Sequence, residues 1–132
     1  MAKEALYKIL IMTEIEKFAE AWKNFEGKFA GKLDVTSSKE GFLELMELGV
    51  NKWEAIKAVA EGFNVKPSEI MCIGDSNNDI PMIKNAGIGV AVSNTSDDVK
   101  KNAKTVTASN NDDGVALVIE SILAKQEKVN FD

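Results

Sequence analysis

Two aspartates that flank a run of polar residues form the segment of this chain best suited to chemistry. Asp75 and Asp79 enclose residues 76–78, a serine and two asparagines, and the group follows the apolar, strand-like run 71–74. Carboxylate oxygens are ligands that Mg²⁺ takes from proteins, usually one or two per site, with water and phosphate completing the set. Amide side chains can reach phosphate oxygens without adding charge. The residue types and spacing therefore point to a site for a hard cation and a phosphoryl group.

Ordinary turn chemistry explains the same residues without a ligand. In this alternative, Asp75 makes an Asx-turn and Asp79 caps a helix that begins at Ile80. An isolated G-D-x-x-x-D pattern is short and common, so on its own it favours this alternative. The elements around the segment are needed to decide between the two interpretations.

Strand-like and helix-like segments alternate from about residue 49 onward, which predicts a doubly wound parallel sheet. In such sheets ligands bind outside the carboxyl ends of the strands, and Asp75 stands at such an end. Pro81 falls in the first turn of its helix, where proline is tolerated. Strands are predicted at 69–74, 88–92 and 104–108, and helices after Asn51, over 80–87, from Ser96 to Lys101 and after Asp113. The helix after Asn51 is expected to pack through a face that includes Val59 and Phe63, and the last helix to turn Val115 and Ile119 inward.

The first 48 residues have a different pattern and predict a separate small α+β layer. Residues 7–12 are typical of a buried strand, and residues 14–26 place apolar side chains at helical spacing. Gly27 and Gly31 are expected to break that helix. A second strand is expected at 32–38. Residues 42–48 alternate apolar and acidic side chains, which predicts a half-exposed strand.

Composition excludes several classes of function. The net charge of −5 argues against a nucleic-acid partner, and no apolar run approaches the roughly 20 residues of a membrane helix. The chain has no histidine, which excludes histidine general bases and histidine-ligated metals. Cys72 is the only cysteine, so an internal disulfide is impossible, and we expect a small buried residue in a cytoplasmic protein.

Three ordered motifs resemble the haloacid dehalogenase-like (HAD) phosphatases, in particular the Cof-type sugar-phosphatase branch. They are "GDSNNDIPMIKNAGIGVAVSN" at 74–94, "LELMELGVNKWEAIKAVAEGFNV" at 43–65 and "ASNNDDGVALVIESIL" at 108–123. The resemblance covers about residues 7–123. It implies that residues 49–132 are the second half of a HAD-like, Rossmann-type α/β core, and that residues 1–48 are the end of an α+β cap of the C2 type.

The resemblance also implies a function and site residues. The function is Mg²⁺-dependent hydrolysis of phosphate monoesters of the sugar-phosphate type. Asp75 matches the magnesium-binding aspartate, and Asp79 matches the second acid of that loop, which supports the metal site. Lys52 matches the lysine that neutralises the substrate phosphate. Asn78 matches an asparagine that contacts the phosphate, and Asn94 a polar residue beside the site.

Each matched residue also has an ordinary structural explanation. Lys52 could be a solvated lysine at a helix start, Asn78 a turn residue, and Asn94 a cap for the helix near Ser96. Taken together and in order, the matches favour the functional interpretation for Lys52, Asn78 and Asp75.

The sequence departs from the family pattern in two places. Family enzymes attack phosphate with an aspartate of a D-x-D motif on their first strand, and no D-x-D occurs in these 132 residues. We therefore expect a C-terminal portion that is inactive alone, with truncation, a split gene product and a decayed copy all left open. Trp53 stands where the family usually has glycine, so its indole could crowd the phosphate entrance or fill space left by an absent segment.

A sheet without its first strand leaves backbone groups at 70–74 unpaired, which predicts self-association through that edge. Two other functions stay open. One is a non-catalytic Mg²⁺- or phosphate-binding remnant or regulatory fragment. The other is a receiver-like signalling domain, which is disfavoured because such domains carry their acidic pair early in the chain.

Overall fold

The computed structural model describes residues 7–129, in which six strands form two three-stranded sheets. No helix in this range is both long and apolar enough to cross a membrane. In chain order, the elements are β1 (Lys8–Met12), α1 (Ile15–Phe29), β2 (Leu33–Lys39), β3 (Phe42–Glu47), α2 (Lys52–Gly62), β4 (Met71–Gly74), α3 (Ile80–Asn85), β5 (Ile88–Val92), α4 (Asp97–Asn102), β6 (Thr105–Thr107) and α5 (Gly114–Val129).

The first sheet is antiparallel, with the strand order β1-β3-β2. In its register Leu45 lies opposite Ile9 and Val35, whereas Glu44 lies opposite Leu10 and Thr36. Because successive side chains of a strand point to opposite faces, these two sets occupy the two faces of the sheet.

Three expectations for this region are wrong in detail. The strand at 7–12 is present but not buried, because β1 is an edge strand and most of its side chains are exposed. Helix α1 continues through Gly27 to Phe29, since one helical glycine costs only about 1 kcal/mol. Glu44 was expected on a solvent-exposed face, yet it is only 6% exposed because that face lines a cavity.

The second sheet is parallel, with the order β4-β5-β6, and the α/β fold class is confirmed. Its centre is well packed, because Ile83 of α3, Val90 and Ala91 of β5 and Val99 of α4 are almost completely buried. Pro81 lies in the first turn of α3, as predicted. The side chains of this core fix the loops that follow the parallel strands.

Several apolar residues predicted to face inward are exposed. In α2, Val59 is exposed, and Phe63, which caps the end of that helix, is 77% exposed. In α5, Val115 and Ile119 are exposed. The reason is geometric: β4 pairs with β5 on one side, and nothing in residues 7–129 pairs with its other edge. The face of α2 beside that edge consequently lacks cover.

Candidate functional site

The polar turn after β4 is closed by the carboxylate of Asp79. Its Oδ2 accepts hydrogen bonds from the backbone N–H of Asp75 at 3.0 Å and of Ser76 at 3.1 Å. Gly74 is required here, because a Cβ at that position would collide with the Asp79 side chain. Asp79 is 3% exposed, so this carboxylate is an internal part of the turn.

Lys52 joins the turn from the start of α2. The helix is capped by Asn51, whose Oδ1 accepts a hydrogen bond from the Glu54 N–H at 3.1 Å. From this position Lys52 Nζ forms an ion pair with Asp79 Oδ1 and lies 3.3 Å from Asn78 Oδ1. Lys52 is therefore not simply a solvated helix-start lysine, and both Asp79 oxygens are engaged by protein donors.

Asp75 is the exposed acid of the turn. Its Oδ1 accepts a hydrogen bond from Ser76 Oγ at 3.0 Å, and its backbone carbonyl accepts one from Thr95 Oγ1. The carboxylate stands outside the carboxyl end of β4 and is accessible from solvent.

The two carboxylates of the turn differ in how well they fit Mg²⁺. Among residues 7–129, no three side chains of histidine, cysteine, aspartate or glutamate cluster as metal ligands. Mg²⁺ commonly takes one or two carboxylates and completes its shell with water and phosphate. The exposed Asp75 carboxylate fits that requirement, and the buried, fully engaged Asp79 fits it less well.

Asn94 belongs to the neighbouring loop, after β5. Its Nδ2 donates to Asn110 Oδ1 at 2.8 Å, and its Oδ1 accepts from the Asn110 N–H at 3.1 Å. It therefore ties together the loops that follow β5 and β6, and it does not cap α4, whose N-cap residue is Ser96. Of the five predicted residues, Lys52, Asn78, Asp75 and Asp79 meet at one turn, whereas Asn94 contacts a different one.

Trp53 points away from this turn. It is buried in a cluster with Cys72 and Ala86, and Ile56 packs against that cluster. Of the two alternatives for this departure, the geometry favours packing over a crowded entrance. Cys72 is buried as expected, and this burial, followed by the nearby charge of Asp79, raises the pKa of its thiol.

A cavity of about 1270 Å³ lies next to the turn and reaches the antiparallel sheet. Lys52 and Asn78 line it on one side, and Asp34, Thr36 and Glu44 line it on the other. Asp34, Thr36 and Glu44 were not predicted as site residues from the sequence. Their signal was present, since polar residues recur at every second position of β2 and an acid occurs among the apolar residues of β3.

A direct hydrogen bond holds the antiparallel sheet against the turn. Asn77 Nδ2 donates to Ser37 Oγ at 3.1 Å, and Ser37 is buried near the end of β2. Asn77 therefore links the two sheets, a role that turn chemistry alone does not require.

Known proteins similar to this chain belong to one family of hydrolases. The haloacid dehalogenase-like hydrolase family model matches residues 1–119. A Bacillus subtilis protein named 5-amino-6-(5-phospho-D-ribitylamino)uracil phosphatase is 33% identical over 124 residues, 93% of this chain and 43% of that protein. The chain spans less than half the length of the curated relatives it matches.

Solved structures agree with this assignment. A haloacid dehalogenase-like hydrolase from B. subtilis is similar with a TM-score of 0.78 and 35% identity, covering 90% of this chain and 42% of that one. A HAD subclass IIB sugar phosphatase also has a TM-score of 0.78, with 26% identity, covering 90% of this chain and 44% of that one.

Proposed function

Because the chain belongs to the haloacid dehalogenase-like hydrolase family, we propose that its polar turn serves the Mg²⁺-dependent hydrolysis of phosphate monoesters of the sugar-phosphate type. The observation that carries this proposal is the Lys52 ammonium held by Asp79 and Asn78 at the carboxyl end of β4, beside the exposed Asp75. The Lys52 ammonium can pair with a phosphate dianion, and the exposed Asp75 carboxylate can hold the metal bound to that phosphate.

Lys52 is the electrostatic partner of the phosphoryl group. Its ammonium has three N–H donors, and Asp79 and Asn78 take two of them. The third is left for a phosphate oxygen, where a positive charge stabilises the negative charge that concentrates during transfer. Asn78 accepts through Oδ1, which leaves its amide N–H₂ group to donate to the same phosphate.

The two aspartates have different roles in this proposal. Asp75 holds Mg²⁺ through its exposed carboxylate, and the metal, when bound, neutralises phosphoryl charge. Asp79 shapes the turn and fixes Lys52, because its oxygens already accept from two backbone amides and an ammonium. We therefore narrow the expectation that both acids serve the metal: Asp79 supports the site without ligating the ion. Asn94 keeps a supporting role through its contact with Asn110.

The attacking group is not among these residues. No D-x-D motif occurs in the 132 residues, so we expect the chain alone to bind phosphate but not to turn over an ester. A phosphate-release assay with Mg²⁺ tests the second half of this statement. Turnover that Asp75→Asn abolishes would contradict it.

Calorimetric titration with inorganic phosphate, with and without Mg²⁺, tests the binding site. We expect binding that requires Mg²⁺ and that Asp75→Asn and Lys52→Met each abolish. Lys57→Met is the matched control, because Lys57 lies on the same helix and pairs with Glu54. Phosphate binding that is unchanged in Lys52→Met would overturn the proposal.

A non-catalytic phosphate-binding role is the second candidate, because Lys52, Asn78 and Asp75 are placed to hold phosphate and no attacking aspartate of a D-x-D motif occurs among these 132 residues. Mixing the chain with a fragment that carries a D-x-D strand separates the two candidates. Phosphatase activity restored by the mixture supports the hydrolase, whereas binding without restored activity supports the second candidate. Membership in a hydrolase family leaves no support for a receiver-like domain.

We also propose that a second copy of the chain pairs at the open edge of β4. The exposed Val59 and Phe63 border a shallow groove that includes Ile70, directly before β4. Light scattering across concentrations should give a dimer mass. Phe63→Ser should lower that mass, and Leu123→Ser, a change at another exposed apolar residue, should not. A monomer at every concentration would contradict the proposal.

A further inference from the structure

Thr95, in the loop after β5, contacts the proposed metal ligand Asp75 from outside the polar turn. Its Oγ1 donates a hydrogen bond to the backbone carbonyl of Asp75, 20 residues earlier in the chain. Hydroxyl side chains next to a helix start commonly cap the first turn of that helix. Helix α4 begins at Asp97 after the N-cap residue Ser96, which makes no side-chain hydrogen bond to it. The hydroxyl of Thr95 therefore contacts a different loop and leaves its own helix uncapped.

The loop that carries Thr95 is held in place by the core of the parallel sheet. Val92, the last residue of β5, and Val99 of α4 are almost completely buried on either side of it. The Thr95 N–H donates to the Val92 carbonyl at 3.3 Å, and the adjacent Asn94 bonds to Asn110 of the following loop. The hydroxyl consequently offers the polar turn a donor whose position does not depend on the turn itself.

The peptide group between Asp75 and Ser76 is held from both sides. Its N–H donates to Asp79 Oδ2 at 3.1 Å, and its carbonyl accepts from Thr95 Oγ1. The Asp75 carboxylate accepts from Ser76 Oγ at 3.0 Å. Asp79 and Ser76 belong to the same turn, so of these three contacts only the one from Thr95 comes from another loop. Its loss would leave the peptide group held from one side and loosen the exposed carboxylate next to it.

We infer that Thr95 is a positioning residue that fixes the Asp75 carboxylate for Mg²⁺, an inference that rests on the proposed function. Mg²⁺ demands near-ideal octahedral geometry and takes only one or two protein carboxylates, so its binding depends strongly on where each carboxylate is held. A ligand that is held before the ion arrives loses less conformational freedom on binding. In this role Thr95 acts through Asp75 alone and touches neither the ion nor the phosphate.

Calorimetric titration of the full chain with Mg²⁺ in the presence of inorganic phosphate tests this inference. Thr95→Val keeps the shape of the side chain and removes its hydroxyl. We expect Thr95→Val to weaken Mg²⁺ binding roughly fivefold, which corresponds to the loss of one hydrogen bond. Thr95→Ser keeps the donor and should bind Mg²⁺ within about twofold of the wild type.

Thr107→Val is the matched control. Thr107 Oγ1 also donates to a backbone carbonyl, that of Gly114 at 2.9 Å, and it lies at the end of β6, which does not pair with β4. A hydroxyl that serves only the stability of a loop affects the urea-unfolding midpoint of the metal-free chain and leaves the Mg²⁺ affinity of the folded chain unchanged. We expect that result for Thr107→Val, whereas Thr95→Val should also weaken Mg²⁺ binding.

The outcomes are distinguishable. An unchanged Mg²⁺ affinity in a folded Thr95→Val overturns this inference and leaves the proposed site standing, and Thr95→Ala decides the matter if Thr95→Val does not fold by circular dichroism. An equal weakening of Mg²⁺ binding in Thr95→Ser, which retains the donor, or in Thr107→Val has the same meaning. A wild-type chain that does not bind Mg²⁺ with phosphate overturns both the inference and the proposed function.

Discussion

The two sheets of this chain bury different kinds of side chain. Around the parallel sheet, Ile83, Val90 and Val99 are almost inaccessible, and Asp79 is the buried polar residue of that region. The antiparallel sheet buries Ser37 and Glu44 among few apolar residues, and its helix α1 has no buried residue. The first region is organised as a core, whereas the second presents a polar face to a cavity.

This difference indicates that the parallel region is fixed by packing, whereas the antiparallel region is less constrained. The proposed function requires donors held at fixed distances, and Lys52 and Asp79 beside the parallel sheet are fixed by an ion pair and hydrogen bonds. The antiparallel sheet instead presents a half-covered polar surface to the cavity, and that surface can change without disturbing the core. The comparison can be tested by equivalent changes in the two regions.

The largest contrast is expected between two glycine substitutions. A Cβ at Gly89 of β5 would overlap the carbonyl oxygen of Ile83, which is backbone and cannot move aside, whereas a Cβ at Gly27 of α1 meets nothing. We expect Gly89→Ala to lower the free energy of unfolding by about 3 kcal/mol or more. Gly27→Ala should raise it by about 0.5–1 kcal/mol. Urea unfolding measures both, and equal effects would break the contrast between the regions.

The second contrast lies within the site and separates support from ligation. Asp79→Ala removes the acceptor of two backbone amides and leaves Lys52 without its carboxylate, so we expect a loss of about 2–3 kcal/mol of unfolding free energy. Asp75→Ala changes an exposed side chain and should stay within about 0.5 kcal/mol.

Magnesium dependence completes that test. We expect Mg²⁺ with phosphate to raise the unfolding midpoint of the wild type and to leave that of Asp75→Ala unchanged. A large destabilisation by Asp75→Ala in metal-free buffer would assign it the structural role that we give to Asp79.

The phosphate side of the molecule was predictable from sequence because its signals are local. The family prediction is confirmed by the match over residues 1–119, and Lys52, Asn78 and the two aspartates were found within short ordered motifs. Asn78 and the two aspartates share the turn after β4 because they are close in sequence, and the parallel pairing of β4 with β5 brings Thr95 to the same edge. The contacts of Asp79 with two backbone amides and with Lys52 were not predictable, because they depend on which carboxylate oxygen each donor reaches.

The burial of Glu44 was missed because it depends on tertiary structure. An alternating strand indicates two faces but does not say what covers each one, and solvent was assumed for the face of Glu44. The covered state results from the cavity between the sheets. The exposure of Phe63 was missed for the converse reason, since helical spacing predicts a face but not a partner for it.

A smaller contrast concerns how the two main helices begin. Asn51 caps α2 through its side chain, whereas Glu14, the residue before α1, makes no such hydrogen bond. We expect Asn51→Ala to cost about 1 kcal/mol and Glu14→Ser to gain about 0.5 kcal/mol. Thermal unfolding followed by circular dichroism measures both. A stabilising Asn51→Ala would contradict the capped geometry that positions Lys52.

The smallest effect is a pH dependence that belongs to the parallel region alone. Burial of Cys72, and then the charge of Asp79, raises the pKa of the thiol in the folded chain. The folded state therefore holds the proton to higher pH than the unfolded chain, whose thiol has a pKa of about 8.5. The resulting stabilisation is complete below that value and is lost as the pH rises through the raised folded pKa. Cys72→Val should remove this component, measured as the difference between the two unfolding midpoints at pH 7 and pH 10.

The rate of thiol labelling compares how accessible the two sheets are to solvent. At pH 8 the native Cys72 should react far more slowly than the urea-unfolded chain, because it is buried and its thiolate is scarce. In a Cys72→Val background, Met12→Cys places a thiol on the exposed edge of β1 and should react at nearly the unfolded rate. Similar native rates at the two positions would mean that the parallel sheet opens as readily as the antiparallel one, and a site that depends on fixed distances could not then rest on it.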